Sequence, residues 1–213
     1  MRRSTKRKQS GATIIEFTLS LTFLIPLLIG TFVFGFRLVQ AQQIDQITRD
    51  LAHMYSRGID FTTAGGASEA ESLADQFGLT STGQAALFFS TVTLETSASC
   101  QAATGSTTCT NINQPVFTQQ VGIGNVTSNA SSFGTPTSGG SLPATSGVSN
   151  DYSTNPTATA QATNTWAVAK GFGSVLTLTS GQVVYVVEMY DNTPALSVAG
   201  ITGKALVYSR AVF

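Results

Sequence analysis

The chain predicts an α+β fold, a long N-terminal helix packed on a small antiparallel β-sheet, and three observations carry that expectation. An apolar run from Ala12 to Phe36 follows a basic leader, apolar residues continue at helical spacing as far as Met54, and short β-rich runs bounded by turn residues occupy much of the chain beyond.

The leader, residues 1–11, carries Arg2, Arg3, Lys6, Arg7 and Lys8 and no acid. The run after it exceeds the roughly 7 to 15 apolar residues of a secretory signal. From Ile14 to Phe36 a helix would reach about 34 Å, against a hydrocarbon core of about 30 Å. Fifteen Leu, Ile, Phe and Val residues in this stretch, at about −0.3 to −0.6 kcal/mol each, outweigh its one acid, Glu16, which costs about 2.5 to 3.5 kcal/mol at mid-membrane and less near the interface. The segment is expected to span a bilayer. The leader charge then holds the N-terminus in the cytoplasm and sends the rest across, a single-pass arrangement at the inner membrane with a periplasmic or cell-surface domain. Pro26 removes a helix hydrogen bond inside the span, and Thr18, Ser20, Thr22 and Thr31 can bond back to carbonyls one turn earlier.

Beyond the span, Ile44, Ile47, Leu51 and Met54 recur on one helix face, with Gln43, Asp45, Arg49 and Asp50 on the other. Gly58 is positioned to end this helix, giving an anchor segment over residues 12–58. Residues 59–213 form one extracytoplasmic β-rich domain. In it, turn residues over Thr62–Ser68 precede a short helix over 69–77. Ala85–Thr96 alternates as a strand, Pro115–Ile123 is a second, and Val175–Thr179 with Gln182–Tyr190 predicts a hairpin across Ser180-Gly181. The arm Val183–Val187 is apolar on both faces, as expected of an inner strand covered on one side by a helix. Asn192-Thr193-Pro194 marks a turn, and Lys204–Phe213 is a final strand. Residues 124–165, mostly Ser, Thr, Gly, Asn and Ala, are expected to form a long low-complexity surface loop, because isolated Phe133, Leu142 and Tyr152 offer little apolar surface to offset ordering.

The formal net charge of zero hides an asymmetry: ten of the eleven acids but only five of the eleven bases follow Arg37. A mildly acidic exported part argues against nucleic-acid binding. Cys100 and Cys109 both fall on the exported side, where an oxidising compartment would join them and contribute about 2 to 3 kcal/mol. No metal site is expected, since the one histidine, His53, lies on the anchor helix far from both cysteines. As the only imidazole it is also the only base for a Ser-His-Asp or Cys-His system, and its place on an amphipathic helix fits surface packing better. Glu188, inside the most apolar strand, is expected to pair with Arg210 or Lys204. Gly122-x-Gly124 and Gly171-x-Gly173 lack the rest of a phosphate-loop pattern, and the sequons at Asn125 and Asn129 carry little weight.

The stretch Gly11-Ala12-Thr13-Ile14-Ile15-Glu16-Phe17 resembles the processing site of type IV pilin-like proteins. Gly11, Glu16-Phe17, Pro26, Gly30, Gly35, Arg37 and the continuation through Arg49 and Arg57 most resemble the TadE-like pseudopilins of the tight-adherence (type IVc) pilus system. The resemblance implies that a membrane-embedded prepilin peptidase cuts between Gly11 and Ala12. It also implies that Glu16, beside Phe17, pairs with the new amine of a neighbouring subunit during assembly. Thr13-x-x-Glu16 also fits a capping box, which would make Glu16 a local helix stabiliser. The implied protein is a minor or priming pilin-like subunit with no catalysis and no cofactor, whose partners are the peptidase, other pilins or pseudopilins, the inner-membrane platform and the membrane itself. The alternative is an uncleaved single-pass anchor presenting a periplasmic binding domain.

Overall fold

The computed structural model describes residues 10–137, 152–192 and 206–213; the leader up to residue 9, Leu142, Thr193, Pro194 and Lys204 lie outside them. The chain divides into two units between Gln40 and Ala41, and one helix, α1 (Ser10–Ser56), runs through the division.

In the first unit the large apolar side chains face outward: Ile14, Phe17, Phe23, Leu27 and Phe34 are all exposed, and none of the most apolar 18-residue window is buried. The helix continues through Pro26. Thr18, Thr22 and Thr31 donate to the carbonyls of Ile14 (2.7 Å), Thr18 (2.9 Å) and Leu28 (2.8 Å). These hydroxyl protons are thereby satisfied within the helix, which suits a segment surrounded by hydrocarbon.

The second unit begins with the last turns of α1. Ile44, Leu51, Ala52 and Tyr55 are buried, while Asp50 and His53 stay exposed. The helix stops as the sequence expects: Gly58 takes φ 91°, its N–H reaches Tyr55 O at 3.0 Å, and Ile59 N–H reaches Met54 O at 3.2 Å. That pair of bonds is a Schellman motif, which satisfies the last carbonyls of the helix.

Helix α2 (Ala64–Leu73) starts earlier than the sequence pattern suggests, because the Thr63 side chain accepts from Gly66 N and caps it; a separate 3-10 turn covers Asp75–Phe77. Five antiparallel strands follow: β1 (Ala85–Leu94), β2 (Pro115–Gly124), β3 (Tyr152–Thr154), β4 (Val183–Asp191) and β5 (Val207–Val212), in the order β3-β2-β1-β4-β5. Helix α3 (Ser97–Thr104) occupies the cysteine loop, capped by a reciprocal Thr96–Ser99 box, and α4 (Ala158–Thr163) is tied to the start of β2 through Asn111 Nδ2, which donates to Gln161 O and Asn164 O.

Strand alternation divides the sheet into two faces. Leu87 and Phe89 of β1, Val121 and Ile123 of β2, and Val187 and Met189 of β4 pack with the buried face of α1, with α2 and with Phe61. Phe61 stacks on Phe89 with ring centroids 4.1 Å apart. On the other face Val92, Phe117, Val184 and Val186 pack with Phe133, Ala169, Phe172 and Leu178, and Phe88 packs with Val126.

Two expectations need correction. Val175–Thr179 is not a strand: β4 pairs along its whole length with β1 and from Val186 onward with β5, which leaves only its first residues with a free edge. The Ser180-Gly181 turn survives, with Gly181 at φ 79° and Gln182 N–H on Thr179 O at 3.1 Å. Nor are the described residues of the 124–165 span, 124–137 and 152–165, a bare loop. Residues 125–136 lie as a strap across the second face with Val126 and Phe133 buried, and β3 and α4 fall in the same span. A few apolar anchors suffice here because the sheet supplies the opposing surface. The strap comes so close that a Cβ on Gly122 would stand 2.8 Å from Val126 Cγ1.

Candidate functional site

The head of α1 carries the residues singled out for processing and assembly. Gly11 and Ala12 lie at the start of the described part of α1. Glu16 lies more than one turn further on, exposed, between the outward apolar side chains of Ile15 and Phe17. Thr13 is preceded by three helical residues and so lies within the helix. The carboxylate is the one charged group on the described helix surface down to Phe36.

The outer turns of α1 are fixed to the sheet by polar as well as apolar contacts. Tyr55 OH lies 2.7 Å from Thr91 Oγ1 and donates to Gln119 Oε1 at 3.0 Å. Its ring meets Phe61, Phe89 and Tyr185 edge-on, and burial pushes its hydroxyl up to about 12. Asp45 bridges Arg49 at 2.9 Å and accepts from Ser209 Oγ at 3.1 Å. The His53 ring packs against Phe213, 4.3 Å between centroids.

Cys100 and Cys109 are joined in a disulfide, Cα atoms 6.1 Å apart, which ties buried Cys100 of α3 to the loop before β2. Among the described residues no three His, Cys, Asp or Glu side chains gather where they could hold a metal. The sequon asparagines are engaged: Asn125 Nδ2 donates to Gly83 O at 2.8 Å and Asn129 Nδ2 to Asn125 O at 3.0 Å.

Glu188 departs from its expected pairing. It is fully buried in the middle of β4 and accepts from Ser131 Oγ, Ser132 N, Ser132 Oγ and Tyr208 OH. Arg210, its neighbour across the β4–β5 ladder, instead sets its guanidinium 5.1 Å over the Phe133 ring. Burial, and then the Glu188 charge, push the Tyr190 and Tyr208 hydroxyls upward. The sequence holds no periodic signal for this cluster, because three of its four donors come from the strap, some 56 residues away in the chain, and the fourth from Tyr208 of β5.

A family model described as TadE-like protein matches residues 11–53. The anchor segment is TadE-like. The match opens at Gly11, takes in Glu16, the exposed apolar helix and the first buried turns of its extension, and ends just before Met54. The TadE-like segment thus covers the membrane-directed helix, and the sheet domain falls outside the matched residues. No curated protein and no solved structure matches the chain.

Proposed function

We propose that this protein is a pilin-like structural component of a Tad-type (type IVc) pilus assembly or secretion system, cleaved between Gly11 and Ala12 by a prepilin peptidase and acting as a minor or priming subunit. The observation that carries the reading is the helix with two surfaces: up to Phe36 it is largely apolar and exposed around one acid, Glu16, while from Ile44 on one face is buried in the sheet domain, and the TadE-like match runs over both parts. Such a helix can sit in a bilayer or against like helices at one end and carry a folded domain at the other. The N-terminus would face the cytoplasm and the domain the periplasm or cell surface, with the platform and other pilins or pseudopilins as partners. Cleavage frees the Ala12 amine, and Glu16 becomes the carboxylate that a neighbouring subunit's amine can pair with in a medium of low dielectric. The domain has a carrying role and no catalytic one.

Co-expression with a prepilin peptidase tests this. Intact mass should show a mature chain beginning at Ala12, and replacing Gly11 with a bulky residue should block cleavage. Glu16→Ala should leave cleavage largely intact and impair incorporation. A chain that keeps its leader beside a correctly processed control pilin would make the segment an uncleaved anchor.

A further inference from the structure

The second sheet face holds a buried carboxylate that the anchor does not use. Glu188 Oε2 accepts from Ser131 Oγ, and Oε1 accepts from Ser132 Oγ, from Ser132 N at 3.1 Å and from Tyr208 OH at 2.8 Å. Two of these three residues belong to the strap, residues 125–136. The strap has further polar ties, from Gln120 Nε2 to Gly134 O at 3.0 Å and from Lys170 N to Phe133 O at 2.9 Å, but its tip at Ser131 and Ser132 rests on this carboxylate.

The groups around Glu188 supply no compensating charge. Its cross-strand neighbours are Phe88 of β1, beside Gly122 of β2, and Arg210 of β5. The titratable or charged groups near it are Tyr190 on its own strand, and Tyr208 and Arg210 on β5; the strap tip brings only hydroxyls, a backbone amide and the Phe133 ring. Arg210 is directed to that ring, and among the described residues no cation pairs with Glu188. An ionised carboxylate is acceptor-only and matches four donors. A proton on Oε2 could be accepted by Ser131 Oγ only if that hydroxyl, which already accepts from Phe133 N, turned its own proton away, and one on Oε1 would displace donors from Ser132 or Tyr208. The protonated acid therefore holds the strap tip through fewer hydrogen bonds.

We propose that Glu188 makes the strap an acid-released latch: the ionised carboxylate seats Ser131 and Ser132 over the second sheet face, and uptake of one proton unseats them and loosens Val126 and Phe133. The helix-backed face, packed mainly through apolar side chains, stays closed. The device lets a domain on a protein of this kind change one surface in acid without unfolding.

Hydrogen exchange on the full chain in detergent micelles, read by mass spectrometry, tests it. Between about pH 7 and about pH 2.5, which runs from above to well below the ordinary carboxylate range, protection of the peptide covering 125–137, corrected for intrinsic exchange, should fall roughly ten- to a hundredfold. The peptide covering 85–94 should hold. Glu188→Gln, which lacks the second acceptor oxygen, should leave the strap poorly protected at every pH, with 85–94 still protected as proof of folding. Ser132→Ala keeps the acid but removes a donor to its ionised form, so release should move to higher pH. Unchanged strap protection in acid, the same acid transition in Glu188→Gln, or an unmoved transition in Ser132→Ala would each overturn the proposal.

Discussion

Leu24 and Leu51 sit on the same helix, in the same residue type and the same backbone conformation, yet Leu24 is 56% exposed and Leu51 not at all. The contrast teaches that α1 presents two kinds of surface along its sequence. Up to Val39 its apolar side chains are turned outward, a state that water penalises and a bilayer or neighbouring helices reward. From Ile44 to Tyr55 the apolar stripe narrows to one face and is consumed by the sheet, while Asp45, Arg49 and Asp50 occupy the other side. Helix propensity is similar in both parts; what differs is whether the polar residues recur with a helical period.

The sharpest way to break this comparison is to truncate the two leucines. Leu51→Ala should cost the domain about 2 to 5 kcal/mol through a cavity against the sheet, whereas Leu24→Ala should change domain stability by no more than about 0.5 kcal/mol. Denaturant unfolding of the full chain in micelles, followed by the fluorescence of Trp166, the sole tryptophan, measures both. Equal effects would mean that the apolar span is also part of the domain core.

A smaller effect is expected at the polar tie. Tyr55→Phe removes the donor that faces Thr91 and Gln119 in a buried setting, a loss of about 1 to 3 kcal/mol. It should also change the alkaline limb of stability. Tyr55 titrates at about 12 in the folded protein against its ordinary 10.0, so its contribution is fully present below about 10 and is lost as pH rises through about 12. The variant should therefore lose stability less steeply with alkali than the parent over that window. Tyr190 and Tyr208, shifted in the same direction, keep part of the slope in both proteins.

The smallest of the three concerns the end of the helix. Nothing lies within 4 Å of where a Gly58 Cβ would stand, but its φ is 91°, so Gly58→Ala should cost about 1 to 2 kcal/mol from backbone conformation alone. The same thermal or denaturant measurement reads it, and an unchanged midpoint would show that the Schellman turn is not what sets the helix end.

Local signals were legible in the sequence wherever they act on neighbours in the chain. The length and period of α1, its stop at Gly58, the strands β1 and β2, and the Cys100–Cys109 bridge are all of this kind. The Thr96-x-x-Ser99 box was present too, and α3 follows from it, although a polar octet beside a cysteine gives little periodic pattern. The 175–190 hairpin failed for a different reason. Its turn is real, but β4 finds better partners in β1 and β5, and pairing is decided by competition among strands.

The sequence alone therefore determined an apolar helix around one acid with a basic leader before it, since hydropathy and charge act through length and order. Only the tertiary structure decided which strands pair, that a Ser/Thr-rich stretch lies across the sheet, and that Glu188 is held by four hydrogen bonds rather than by Arg210. Those outcomes depend on surfaces assembled from distant residues. A side chain's partner is whichever group the fold brings within about 3 Å, and no local spacing encodes that.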